Sequence, residues 1–403
     1  MSKTIVMAGA LDTKGTEFAF VKNLIEQVGL HTLVIDFGVM GAPGFAPDIT
    51  HEAVMQAGGG DATRLTSGQH KDEAMQVMAA GLAHIVRKLY DKGQLDGIFS
   101  MGGSGGTSIA SAAMRALPIG VPKVMLSTLA GGDVSAYAGS KDIMFLPSVV
   151  DVAGINSISR AVYTNAAGAI VGAVQMARPT AQHTERPLIA ASMFGNTTAC
   201  VDHARNLMEQ AGYEVLVFHA TGSGGRAMES LIADGYIRAV CDITTTELAD
   251  AVCGGVLSAG PDRCLAAAKR GLPTLLVPGC VDMCNFGGIE TLPEKYRARN
   301  LYQWNPNVTL MRTNAAENRQ IGEWLARAAN AATGPVNILL PLKGVSMLDS
   351  AGGRFWDPAA DQACFDAIKQ NVRPGIAVQA LDYNINDPAF ADACAQTMLT
   401  MMG

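Results

Sequence analysis

The sequence predicts an α/β protein of two Rossmann-like, doubly wound domains with mostly parallel sheets. Three observations carry this. Short apolar strands alternate with helical patterns along the whole chain. A polar stretch bracketed by prolines, Arg178 to Pro187, interrupts that alternation near the middle. The same strand–helix–strand pattern then begins again. The expected domains are therefore 1–178 and 188–403.

The repeat is visible residue by residue. Ile5–Ala10 reads as a strand, Gly15–Val28 as a helix with Gly29 behind it, and Thr32–Asp36 as a second strand. Leu188–Met193, Thr197–Ala211, Gly212 and Glu214–Phe218 follow the same order. An offset of 183 places Asn23-Leu24-Ile25-Glu26-Gln27-Val28-Gly29 on Asn206-Leu207-Met208-Glu209-Gln210-Ala211-Gly212 without a gap. A repeat this long marks two related domains rather than a solenoid. In the first half, strands are expected at Gly97–Met101, Lys123–Ser127 and Ile143–Phe145. Helices are expected around Lys71–Lys92, Thr107–Leu117 and Ser157–Ala177. Later strands are expected at Ala239–Ile243, Thr274–Val277, Val308–Met311, Val336–Leu340 and Ala377–Leu381.

Composition narrows the function. The 403 residues are 49% hydrophobic and 16% charged, and 30 basic against 36 acidic side chains give a formal charge of −6. With no dense Lys/Arg stripe, a nucleic-acid groove is not expected. The longest weakly polar run, Ala161–Ala177, is broken by Thr164, Asn165 and Gln175 and falls short of a membrane span. A cytoplasmic location is expected. All eight cysteines follow residue 199 with scattered spacing, as ordinary buried thiols would.

In open parallel sheets ligands bind beyond the carboxyl ends of the strands. The strongest signal there is Gly102-Gly103-Ser104-Gly105-Gly106-Thr107, between a strand and a helix. Glycines let backbone N–H groups approach an anion, and a helix N-terminus favours negative charge. The loop is not of the Walker type, and the first strand end lacks a dinucleotide fingerprint. Asp12, Thr13 and Lys14 stand at that strand end, where Lys14 can meet a phosphate and Asp12 can hold Mg²⁺ or a ribose hydroxyl. Ser127 and Thr128 follow a further strand; Asn156 can cap the next helix and Arg160 can reach a phosphate.

The second half offers its own glycine loop, Gly222-Ser223-Gly224-Gly225-Arg226, read as a cradle for a small anionic metabolite. His219 before it is the candidate acid/base, with Glu229 or Glu247 orienting it or a substrate, and Thr245 and Thr246 lining the site.

Several stretches together resemble the Tm-one-like ATP-binding domain family. They include Asp12–Gly15, Met101–Thr107, Leu117–Lys123, Phe145–Asp151, Gly154–Ser157, Thr221–Glu229, Thr244–Asp250, Asn305–Arg312 and Ala332–Val336. The resemblance covers essentially the whole chain. It implies two Rossmann-like domains, ATP bound by the first, and a homodimer, for which the small-residue helix Ala161–Met176 offers a flat face. Asn384 and Trp304 stand where family members usually carry His. The expected function is that of an ATP-binding enzyme of small-molecule metabolism. A nucleotide-gated binding protein without turnover is the alternative. A small-molecule kinase is a lesser one, because Ser104 replaces the Asp of the kinase glycine motif.

Overall fold

A computed structural model describes residues 3–60, 71–177 and 186–403. The expected linker lies almost wholly outside them. The chain divides into two units, Met1–Gln182 and His183–Gly403.

The first unit is built on β1 (Thr4–Gly9), β2 (His31–Asp36), β3 (Gly97–Gly102), β4 (Lys123–Ser127) and β5 (Met144–Pro147). These strands form one sheet in the order β2-β1-β3-β4-β5, and all four pairings are parallel. Strands buried on both faces need continuous apolar runs, and β1 supplies Ile5, Val6, Met7 and Ala8, all fully buried. One face is covered by helices Leu11–Gln27 and Ser157–Met176, through Phe18, Val21, Tyr163 and Ile170. The other is covered by Lys71–Asp91 and Ser104–Arg115, through Met78, Leu82, Ile109 and Met114.

The second unit carries β6 (Leu188–Met193), β7 (Glu214–His219), β8 (Ala239–Thr244), β9 (Thr274–Gly279), β13 (Val336–Pro341) and β14 (Ala377–Leu381). Their order is β14-β13-β9-β8-β6-β7, again parallel throughout. Between β9 and β13 the chain makes a separate antiparallel sheet of β10 (Met283–Phe286), β12 (Val308–Arg312) and β11 (Leu301–Asn305). Sequence reasoning found only β12 of these three. β10 follows β9 after three residues, so its short Met-Cys-Asn-Phe run merges with a loop in the pattern.

Read in chain order, each sheet begins with strands 2-1-3-4-5 rather than 3-2-1-4-5-6. Strand order reverses between β1 and β3 in the first unit and between β6 and β8 in the second. Such reversal points open the crevice where doubly wound sheets take their ligands.

Candidate functional site

The crevice of the first unit lies between the ends of β1 and β3. Helix Ser104–Arg115 begins immediately after β3, with Gly103 as an N-cap that supplies no side-chain hydrogen bond. The sequence pattern predicts the helix start at Thr107. Ser104, Gly105 and Gly106 are instead its first turn, so their N–H groups have no carbonyl of the helix to bond. None of the glycines from 102 to 106 has a positive φ. Nor does crowding demand them. A Cβ at Gly105 would come no closer than 3.5 Å to Met75, and one at Gly106 no closer than 3.8 Å to the Met101 carbonyl. Among the described residues, the glycine run therefore keeps an uncapped helix end open where neither backbone shape nor packing requires it.

Thr107 and Ser127 are corrected by the structure. Both are fully buried, and their hydroxyls bond each other at 2.7 Å, tying the helix to the end of β4. They shape the site without facing it. Thr128 and Ser104 are exposed. Asn156 caps helix Ser157–Met176 in a capping box with Ser159, and the Arg160 guanidinium lies 5.3 Å above the Phe20 ring.

Across the crevice, helix Leu11–Gln27 leaves helical geometry at Lys14. Asp12 Oδ2 accepts the Met40 N–H at 2.7 Å, while Oδ1 is buried beside Gly38 with no hydrogen-bond partner among the described residues. Thr13 is exposed and Lys14 half-buried. Sequence reasoning missed Asp36, which is fully buried and accepts the N–H groups of Leu11 and Gly38 at 3.0 and 2.9 Å. It braces the β1 turn from the end of β2.

In the second unit the glycine loop is already filled. Glu247 Oε1 accepts the N–H groups of Gly222 and Gly225 at 2.6 and 3.0 Å. A carboxylate thus sits at the N-terminus of helix Ser223–Asp234, where an outside anion was expected. A Cβ on Gly225 would meet Glu247 Oε2 at 2.2 Å, and one on Gly224 would meet the His219 carbonyl at 1.8 Å. These glycines serve internal packing, and an anion cradle at Gly222, Ser223, Gly224 and Gly225 is not supported. Thr245 and Thr246 give their hydroxyls to the carbonyls of Val277 and Met283, and Arg226 gives its guanidinium to that of Ser258.

The acid/base trio does not assemble either. Arg263, fully buried, forks onto Asp242 at 2.5 and 2.7 Å and reaches Glu247 at 2.6 Å and Glu229 at 3.3 Å. Glu229 also accepts the N–H groups of Cys264 and Ala266. Both glutamates are committed to this network. His219 is exposed at the edge strand β7, with its ring 5.4 Å from that of Phe194. Arg263 gave no signal in the sequence beyond an unremarkable Pro-Asp-Arg-Cys.

A second buried network joins the loops after β9 and β13 to the end of β12 and the helix Pro358–Asn371. Arg312 contacts Asp361 at 2.7 Å and Asp349 at 3.5 Å, and Ser346 donates to Asp282 at 2.9 Å. Burial and the neighbouring Asp349 push Asp282 up to about 7 and Asp361 up to about 8. All eight cysteines are free and buried. Burial holds the thiols of Cys241, Cys264 and Cys280 well above the ordinary value, away from reactive thiolate. Among the described residues no group of three or more His, Cys, Asp or Glu is placed to hold a metal, and no helix is long and apolar enough to cross a membrane.

Fold and crevice define a protein of two doubly wound α/β units with an open helix terminus at the first reversal point. Residues 3–179 match the N-terminal domain, and residues 186–402 the C-terminal domain, of an uncharacterised protein family, UPF0261. The chain belongs to that family. It is 49% identical to a UPF0261 protein of Clostridium tetani over the full length of both. It is 44% identical to one from Rhizobium meliloti over 97% of each. The tomato ToMV resistance protein Tm-1(GCR237) is 39% identical over 84% of this chain and 46% of its own length, in keeping with the resemblance seen in the sequence. Among solved structures, UDP-N-acetylglucosamine 2-epimerase from Rickettsia bellii aligns over 100% of this chain and 96% of its own. Its identity is 9% and its TM-score 0.25. Likeness at that level has no bearing on ligand or reaction.

Proposed function

We propose that the first unit binds ATP, with the phosphates over the N-terminus of helix Ser104–Arg115. One observation carries this: the glycines at 102, 103, 105 and 106 leave open an uncapped helix end with no conformational or packing reason among the described residues. Backbone N–H groups and the helix dipole there suit a phosphate. Lys14, half-buried across the crevice, supplies a point charge for the phosphates. ATP, rather than phosphate in general, follows from the family resemblance.

A binding role without turnover is favoured over catalysis at His219, because Glu229 and Glu247 are held by Arg263. Calorimetric titration with ATP and Mg²⁺ tests the site, and phosphate release separates binding from turnover. No heat of binding at millimolar ATP ends the proposal; release of phosphate reinstates the enzyme. The outer face of helix Ser157–Met176, where a Cβ on Gly168 or Gly172 would meet nothing within 4 Å, is the proposed homodimer contact.

A further inference from the structure

We propose that Val149 is the contact for the base of the bound nucleotide, an assignment that rests on the nucleotide site proposed above. Val149 follows β5 in a three-residue turn, closed by the Val150 N–H donating to the Ser148 carbonyl at 2.7 Å. Its φ is +67°. A β-branched side chain in the left-handed region is a marked outlier, since Cβ crowds the following carbonyl. The strain is not offset by burial, because Val149 is 75% exposed. The turn is held from below: the Ser148 N–H donates to the Ser127 carbonyl at 3.1 Å, and the Ser148 hydroxyl to the Val150 carbonyl at 2.6 Å. Among the described residues, nothing rewards valine over glycine or asparagine at this point. A contact with something outside the chain does.

Distance favours the base. β4 separates β5 from β3, and neighbouring strands lie about 4.8 Å apart, so Val149 stands roughly 10 Å along the sheet edge from Gly102 and Gly103. The loops between are joined rung by rung, the Thr128 N–H donating to the Gly102 carbonyl and the Ser148 N–H to the Ser127 carbonyl. A nucleotide with its phosphates at the start of helix Ser104–Arg115 and its long axis along this edge brings its base to β5. Thr128, exposed at the end of the intervening strand, is the group its ribose meets. Branched methyls against a ring face are the apolar component that orienting polar groups alone do not provide.

The test is Val149→Gly, which removes the side chain and fits the left-handed turn without strain, so the fold is kept. The variant and the wild type are titrated calorimetrically with ATP and with inorganic tripolyphosphate. ATP affinity should fall about tenfold, the order expected for losing a small apolar contact, while tripolyphosphate affinity stays within twofold. Val149→Ile, which keeps the methyl contact, should bind ATP as the wild type does. Unchanged ATP affinity in Val149→Gly overturns the base contact and leaves the phosphate site standing. An equal loss for both ligands overturns it too, by showing that the turn acts only on phosphate. If the wild type binds neither ligand, the nucleotide site fails and Val149 with it.

Discussion

Placing a methyl on the glycines of the first helical turn separates the needs of the fold from those of a ligand. Gly105→Ala adds a Cβ 3.5 Å from Met75, and Gly106→Ala one 3.8 Å from the Met101 carbonyl, both ordinary contact distances. Neither position has a positive φ, so alanine is conformationally allowed at both. Alanine exceeds glycine in helix propensity by about 1 kcal/mol in a helix interior, and somewhat less is expected in a first turn. Thermal unfolding of the unliganded variants should therefore occur at the wild-type temperature or slightly above it. Binding should move the other way. A methyl that pushes a phosphate off its backbone donors forfeits a charge-assisted hydrogen bond, worth about 1.5–3 kcal/mol. That corresponds to roughly ten- to a hundredfold in affinity for ATP. Gly105→Val should bring a larger loss. Calorimetric titration beside a melting curve reads both quantities on the same samples. Wild-type ATP affinity in a folded Gly105→Ala, Gly106→Ala double variant would refute the reasoning.

Arg263→Met leaves Asp242 and Glu247 buried without their guanidinium. It should destabilise the second unit by about 3–5 kcal/mol, as breaking buried ion pairs does. A denaturant midpoint close to the wild type would show that Arg263 is dispensable. Asp282 and Asp361 are held above the ordinary carboxylate value by burial and Asp349, so the folded state retains protons that the unfolded chain releases near pH 4. The stability they contribute is full below pH 4 and is lost as pH rises through about 7 to 8. Asp282→Asn should flatten that part of the stability profile, and an unaltered slope would count against the shift. His219→Asn should leave ATP affinity within twofold, which calorimetry can check. Light scattering should give twice the chain mass, and a monomer at micromolar concentration would remove the proposed dimer.

The parallel strands were legible because each is a short apolar run ending in polar or glycine residues, as in Gly97–Gly102 and Lys123–Ser127. The offset of 183 matches the structure, where Asn23–Gly29 and Asn206–Gly212 each close the first α-helix of a unit, after β1 and after β6. The Asn156 cap was also readable, since Asn before a helix has few other uses. What escaped the sequence depends on contacts between distant residues. Glu247 and Gly225 are 22 positions apart, and only the fold brings that carboxylate to that helix end. The two glycine loops look alike on the page, yet what decides their roles is the space a Cβ would enter. Val149 was hidden for a different reason: valine is among the last residues one would assign to a positive φ.

Glu247 can also be regarded as a ligand that never leaves. Tethered through its own backbone, it holds the helix end of Gly222–Gly225 at any solute concentration, whereas the helix end at Ser104 has no side-chain cap and, on the proposed site, takes its anion from solution. Stability in the two units then answers to different variables. A nucleotide at a hundred times its dissociation constant adds about 2.7 kcal/mol to the folded state that binds it. On the proposed site, that increment falls on the unit that binds. Amide exchange in Gly97–Arg115 should slow as nucleotide is added, while exchange in Glu214–Asp234 keeps its rate. If nucleotide binds where proposed, the chain carries its own internal reference, with one helix end responding to nucleotide and the other holding its own carboxylate.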